Sequence, residues 1–546
     1  MDFRSAAIAL LMTSVTVACS SSDPVENNNN TAPYDDPTAV SERLQATLWD
    51  LAAFGEKRAG TPAGAQAADY LFDRFETAGL QNVRFESFSF LLFELESSAM
   101  TVTADGVPLA IEHDVFAYSG SGSADATVVF VGHGKPADYV GKDVAGRVVL
   151  VERDEIFHRS AQYSLIVEHG GAAMLYVSAS PDNLIQIGTV GDPEDGLGPI
   201  PAVTVGTDDG QRIIDALDAG QTVRATTSVT ASVGPATGRN VVGELPGTDP
   251  SGGYFLVGGH YDTWFTGSVD NSTGVAATLE IAESLVLRGP RIYGISFVAY
   301  DGEELGLLGG YDFLRKHVVV DGEPLLAFLN FEMPANAGDG LRALGYTNGA
   351  GFYDAILESE LEGLYIFVAG LELVAGLFGG SIPTDIQGLY WYGLQGVTTA
   401  CQSPWYHTTE DTPDKVDYEF FADAVLRFQD LLDVMDLTPI EDFQRHDPEV
   451  WRLQVTTSPA GADLTVDVTV QDADGAPQAG ALVRLWLDVD DFTRSFDATG
   501  LADSSGELTF TVPAASLSAG TGAGDNWLHV TGGEEYPLVE AIHPLP

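Results

Sequence analysis

The chain has 546 residues, too many for one compact domain and enough for three or four. Hydrophobic residues make up 45%, ample for several cores, while 79 acids against 25 bases leave a net charge of −54. A surface so acidic repels nucleic acid and anionic membrane faces, which sets both aside as partners; its plainest use is solubility.

Two cysteines, Cys19 and Cys401, are too few for a disulfide framework. Residues 1–18 read as an export signal. Arg4 gives a positive start, and Ala6 to Ala18 is an apolar run too short to span a bilayer, which takes about 20 residues. The end, Thr16-Val17-Ala18-Cys19, resembles the bacterial lipoprotein box, with Thr16 where Leu, Val or Ile is usual. Cys19 is thus the expected lipidation site, and the expected location is the cell envelope or, without the lipid, the secreted fraction. Membrane contact is expected only through that anchor. Residues 19–40 are rich in Ser, Asn, Asp and Pro and predict a flexible tether.

Two helical patterns follow, Val40-Leu44-Leu48-Leu51 and Ala67-Leu71-Phe75-Ala78, separated by a break at Gly60-Thr61-Pro62. Residues 116–235 are strand-rich and interrupt the body, with runs at 126–131, 147–151, 172–177 and 202–205. From Gly238 apolar strands alternate with helices: a strand at Tyr254–Val257, a helix over Ser272–Leu287, a strand at Tyr293–Tyr300, a helix through Leu307, Phe313 and Leu314, and a strand at Leu325–Phe331. Such alternation predicts an α/β fold, a mixed, mostly parallel sheet flanked by helices. Residues 450–546 predict a separate β-sandwich: Leu464, Val466, Val468 and Val470 alternate strictly, and turns such as Asp472-Ala473-Asp474-Gly475 punctuate them. Its histidines, His529 and His543, stand alone in sequence and read as structural or exposed, and the domain as a spacer or surface attachment.

The potential metal ligands sit just past predicted strands, where α/β sheets gather their ligands. His260 and Asp262 follow the strand at Tyr254–Val257, Glu303 and Glu304 follow Tyr300, and Glu332 follows Phe331. Asp270 precedes a helix, and His407 trails the run Gly396–Ala400. Imidazoles and carboxylates suit zinc without any cysteine. Two histidines with three carboxylates can feed two ions if one carboxylate bridges, and one further carboxylate must remain free to take a proton from water. The pair Glu303-Glu304 can supply both a base and a ligand, and Asp262 can hold the second nitrogen of His260. Except for Glu332, an acid closing an apolar strand where an unpaired charge is costly, each motif alone is commonplace; their order and separate placement at strand ends are not.

These runs resemble the co-catalytic zinc aminopeptidase family that includes glutamate carboxypeptidase-like enzymes. The matching stretches are Gly258-Gly259-His260-Tyr261-Asp262-Thr263, Val269-Asp270-Asn271-Ser272, Asp301-Gly302-Glu303-Glu304-Leu305-Gly306, Leu329-Asn330-Phe331-Glu332-Met333 and Tyr406-His407-Thr408-Thr409-Glu410-Asp411-Thr412, with Arg58-Ala59-Gly60-Thr61-Pro62 upstream. By that resemblance the zinc peptidase domain spans 41–115 and 236–440, and two zinc ions are the cofactor. His260, Asp270 and Glu332 would hold one; Asp270, Glu304 and His407 would hold the other. Glu303 would be the general base and Asp262 would orient His260. Glu332 stands where aspartate is commoner, and Pro383-Thr384-Asp385-Ile386 where the family often shows Ser-Asp-His. Within 116–235, Gly141 to Val151, Glu168 to Ala173 and Ile200 to Val203 resemble the protease-associated domain, which usually serves as a lid or specificity module.

The resemblance implies a metallo-exopeptidase taking residues from the N-terminus of peptide substrates. Alternatives are a carboxypeptidase for acidic dipeptides, a glutaminyl cyclase-like acyl transfer, and an inactive binding relative. A carboxylate-accepting site would call for arginines; Arg291 and Arg342 are not obviously placed to serve, which favours the aminopeptidase. Phe378, Tyr390, Trp391, Trp405 and Tyr406 are candidates to line the pocket, with Tyr406 the expected substrate contact.

Overall fold

The computed structural model describes residues 34–249, 252–335, 344–348, 365–367, 370–401, 403–443, 451–517, 525–534 and 536–545. The predicted leader, Cys19 and Arg342 lie outside the described residues. The helix Pro37–Ala52 begins at Asp36, whose side chain accepts the N–H of Thr38, with a proline in the first turn. Helical structure thus starts inside the segment expected to be tether. The stripe Val40, Leu44, Leu48, Leu51 is buried, as is Ala67, Leu71, Phe75 on the next helix, Pro62–Ala78.

The body is built on four parallel strands in the order Gly294–Tyr300, Tyr254–His260, Leu325–Asn330, Gly396–Ala400. Both faces are covered, which is why these strands read as unbroken apolar runs. On one side Phe255, Val257 and Phe297 pack with the helices Pro37–Ala52, Pro62–Ala78, Thr273–Arg288 and Tyr418–Leu437. On the other, Leu256, Val298 and Phe328 pack with Phe313, Leu314 and Leu389, and with Trp527 and Ile542 from the C-terminal region.

Two long strands, Gln81–Ala104 and Val223–Leu245, pair antiparallel over almost their whole length. They are absent from the sequence-derived elements. One end of Val223–Leu245 pairs with Gly294–Tyr300 in the body, and the other with Gly122–Phe130 in the insert. From there Val148–Glu152, Ala173–Val177 and Ala202–Val205 continue in parallel. Body and insert thus share one 14-stranded sheet. At the C-terminus a three-stranded and a four-stranded antiparallel sheet face each other across Val466, Val468, Leu485, Leu487, Leu528 and Val530. The architecture is mixed α/β with an inserted strand-rich unit and a C-terminal sandwich.

Candidate metal centre

Glycine lets the body's strands end close together. A Cβ on Gly274 would lie 2.1 Å from the Phe331 carbonyl oxygen, and one on Gly259 would lie 2.7 Å from the same atom. This crowding brings the ends of Tyr254–His260 and Leu325–Asn330 against the start of the helix Thr273–Arg288. His260 closes the first of these strands, and Glu332 follows the second.

The structure gathers His260, Asp270 and Glu332 into one buried group, and Asp270, Glu304 and His407 into a second, with Asp270 in both. His260 Nε2 lies 3.5 Å from Asp270 Oδ1 and 3.4 Å from Glu332 Oε2. His407 Nε2 lies 3.1 Å from Asp270 Oδ2 and 3.0 Å from Glu304 Oε2. The two oxygens of Asp270 thus face different imidazoles. Glu303 Oε2 lies 3.8 Å from His260 Nε2. Alone among these acids it is partly exposed.

Both imidazoles are aimed by backbone carbonyls. His260 Nδ1 donates to the Asp262 carbonyl at 2.9 Å, and His407 Nδ1 donates to the Ile187 carbonyl, in the insert, at 3.0 Å. The Ile187 N–H returns a bond to the His407 carbonyl, so the insert clamps this residue from two sides. Asp262 therefore meets His260 through its main chain. Its carboxylate, 3.6 Å from the ring, accepts the N–H groups of Glu303 and Glu304 instead, at 3.1 and 3.3 Å, and so fixes the turn bearing them.

Charge is unevenly balanced here. Burial raises Glu303 well above the usual carboxylate range, helped by Glu332, Glu304 and Asp385 and opposed by His260. Burial likewise lifts Glu304 to about 7. The His407 imidazole is pushed up to about 9, burial being overcome by Glu304 and Asp270. His260 Nε2, His407 Nε2 and Glu304 Oε1 are buried without a hydrogen-bond partner. Orphaned polar atoms of this kind, aimed at a shared space among acids, fit a cation. Imidazole nitrogen with carboxylate oxygen is a donor set that suits zinc.

The sequence reading missed several supports. Asp411 accepts the N–H groups of Val269 and Asp270 at 2.8 and 3.1 Å. Asn271 donates to the Phe331 carbonyl and accepts from Gly274 and Met333, tying the Asp270 turn to the Glu332 loop. Thr384 donates to Glu332 Oε2 at 3.1 Å. Asp385 is buried with both carboxylate oxygens unpartnered. Asn271 and Asp411 stood inside recognised motifs; Thr384 and Asp385 stood where the motif departs, with no sign of their role.

Of the five aromatic candidates, Tyr406 stacks on the His407 ring at 3.7 Å between centroids. Trp391 is buried and donates to the Gly380 carbonyl, Trp405 packs on the body's helical core, and Tyr390 on the opposite core. Trp264, unremarked in the sequence, lies 6.4 Å from His407. Arg291 is engaged with Asp433 and the Leu432 carbonyl. Two other arginines stand near, both from the insert. Arg153 lies over the Tyr406 ring at 5.7 Å, and Arg159 donates to the Thr189 carbonyl and acts electrostatically on Tyr406.

Residues 240–429 match the family model of Peptidase family M28, and residues 113–213 that of the PA domain. The body is thus similar to a metallopeptidase family and the insert to the PA domain. A probable lipoprotein aminopeptidase of Mycobacterium tuberculosis is 27% identical, covering 61% of this chain and 68% of its own. A probable glutamate carboxypeptidase of Zea mays is also 27% identical, over 53% of this chain and 50% of its own. The chain spans about half the length of such glutamate carboxypeptidase relatives. The fold is shared with a Peptidase M28 precursor from Shewanella amazonensis, TM-score 0.61 and 20% identity, covering 74% of this chain and 96% of that one. It is shared also with an aminopeptidase from Aneurinibacillus, TM-score 0.56 and 22% identity, covering 73% and 95%. The two matched families, Peptidase family M28 and the PA domain, are those that the motifs in these segments resemble.

Proposed function

We propose that the protein is an exported, zinc-dependent exopeptidase that hydrolyses the N-terminal peptide bond of peptides. The observation that carries this is the pair of buried ligand groups sharing Asp270, with both imidazole Nε2 atoms turned into the space between carboxylates. His260, Asp270 and Glu332 would hold one zinc ion; Asp270, Glu304 and His407 would hold a second. Zinc held by these residues would supply Lewis acidity toward a peptide carbonyl and a water. Glu303, the one partly exposed acid of the cluster, would take the proton from that water and pass it to the departing amine. Asp262 holds the backbone of Glu303 and Glu304 while its carbonyl fixes the His260 tautomer. The Ile187 carbonyl does the same for His407. Tyr406, stacked on His407, forms a wall for the substrate. Export and a lipid on Cys19 follow from the leader and agree with the lipoprotein aminopeptidase relative.

The test uses aminoacyl-nitroanilides. Activity should vanish on chelation and return with zinc, and Glu303→Gln should lower kcat by about 10²–10⁴. A zinc-loaded protein silent on every free-amine substrate would sink the aminopeptidase reading.

A second reading has specific support. The arginines that the sequence did not place near the motifs are brought by the insert: Arg153 and Arg159 beside Tyr406. In a chain with so few bases, two at this site favour a substrate carrying a carboxylate close to the scissile bond, as a dipeptide does. The metals and Glu303 serve either substrate; N-blocked acidic dipeptides separate the two.

A further inference from the structure

The C-terminal sandwich is docked on the body. Arg315, on the helix Leu314–Val320, is buried inside it: it donates to Asp488 at 2.7 Å, to the Asp491 carbonyl at 2.9 Å and to His529 Nε2, and lies over the rings of Phe492 and Trp527. His529, isolated in the sequence, bonds Glu540 through its other nitrogen. Arg494 of the sandwich pairs with Glu194 and Asp195 of the insert. Three regions of the chain thus meet around one buried guanidinium and its neighbours.

What the sandwich presses on is the segment 380–391. Trp527 and Ile542 share an apolar core with Ile382, Ile386 and Leu389. Gly380, at φ +93°, approaches Pro537 so closely that a Cβ would lie 2.9 Å from its ring. Glu540 Oε2 accepts from the Tyr311 hydroxyl, whose oxygen accepts from Gln387 Nε2, both at 3.4 Å. Gln387 in turn gathers the segment, accepting from Ser381 Oγ at 2.8 Å and from the Ile382 N–H at 3.0 Å. The segment's buried tip is Thr384, which receives Asn330 Nδ2 at 2.7 Å and gives its hydroxyl to Glu332 Oε2.

We propose that the C-terminal domain is a working part of the metal centre: by bracing residues 380–391 it holds Thr384, and through Thr384 it aims Glu332. Trp527 and Thr384 are then positioning residues acting through Glu332. The inference rests on the zinc reading above. It assigns the domain a role in the site that neither a spacer nor a surface attachment would have.

The test is calorimetric zinc binding by the purified full chain, with thermal melting alongside. Thr384→Val should weaken one of two zinc ions by about tenfold or more, the range for losing a partner of a metal ligand, and Thr384→Ser should restore it. Trp527→Leu, in the sandwich, should weaken the same ion, and the double variant should bind no worse than Thr384→Val alone. Val468→Ala, in the sandwich interior, should lower the melting temperature and leave both zinc affinities unchanged. If Trp527→Leu does not fold, Tyr311→Phe replaces it, with a several-fold loss expected. A folded Trp527→Leu or Tyr311→Phe chain with undiminished affinity for both ions overturns the proposal and leaves the zinc reading standing. A wild-type chain that binds no zinc overturns both.

Discussion

Arg153 comes to the centre from a part of the chain more than a hundred residues before the first ligand, and its place over Tyr406 decides what the second reading is worth. Arg153→Met removes the charge and keeps the aliphatic reach. It should raise KM for N-blocked acidic dipeptides about tenfold and leave KM for aminoacyl-nitroanilides within twofold, on the scale of one charge-assisted contact. Equal effects on both substrates would mean that Arg153 only supports Tyr406. The five candidate ligands were legible because His260, Glu304, Glu332 and His407 follow strands and Asp270 precedes a helix, each inside a recognisable run. The carbonyl of Ile187 was not: main-chain atoms carry no residue signature, and the residue that positions His407 lies in another domain. Asp262 likewise bonds His260 through its own main-chain carbonyl, which leaves its carboxylate for two backbone N–H groups.

Among the elements, the helix Thr273–Arg288 and the strand ends it touches depend on close approach. Gly274→Ala would set a methyl against the Phe331 carbonyl and the Asn271 side chain, both held by other bonds. Stability should fall by about 1–3 kcal/mol, as overpacking does, and zinc affinity should fall with it because Asp270 and Glu332 flank the clash. A melting curve and a zinc titration check this; an unperturbed variant would show that the turn yields freely. The helix Leu314–Val320 is pinned by His317, whose nitrogens bond Glu86 on a long strand at 2.9 Å and Glu323 at 3.0 Å. Burial opposes the imidazolium, yet Glu323 and Glu86 push His317 up to about 9, and both carboxyls lie below their usual range. The raised imidazole stabilises fully below its unfolded value of about 6.5, and that contribution is lost as pH rises through 9. The lowered carboxyls contribute above about 4.5 and lose it in acid. Melting temperature should therefore fall between pH 6.5 and 9.5 in the wild type, and His317→Gln should flatten that fall; an unchanged slope would exclude His317 as its source. The short buried strands and amphipathic helices were readable from period alone. The long strands 81–104 and 223–245 were not, because each passes from one domain's surroundings to another's and keeps no single pattern of burial.

At the scale of the whole molecule, 79 acids on one chain repel one another, and 25 bases cannot offset them. Raising ionic strength from 0.01 to 0.15 M shortens the screening length from about 30 to about 8 Å, so the melting temperature should rise over that range. A fall would mean that the attractive pairs, such as Arg288 with Asp433 and Asp35, outweigh the repulsion. The division into body, insert and sandwich could be read from composition and turns, whereas the docking of the sandwich rests on single residues, Arg315, His529 and Trp527, that look ordinary in sequence. The pairing of the two long strands also bears on the order of assembly. At the insert end, Asp105 meets Thr222 across 117 residues of chain; at the body end, Asn82 meets Glu244 across 162. Bringing such distant stretches together from an open coil is slow, because the entropy of closure is spent before contacts repay it. Once the insert has folded, its two ends emerge side by side, and the strands can close like a zipper from Ala104 and Val223 toward Gln81 and Glu244. On that order, Val223–Leu245 would offer its edge to Gly294–Tyr300 last. The insert would thus be the nucleus from which the body's sheet is templated.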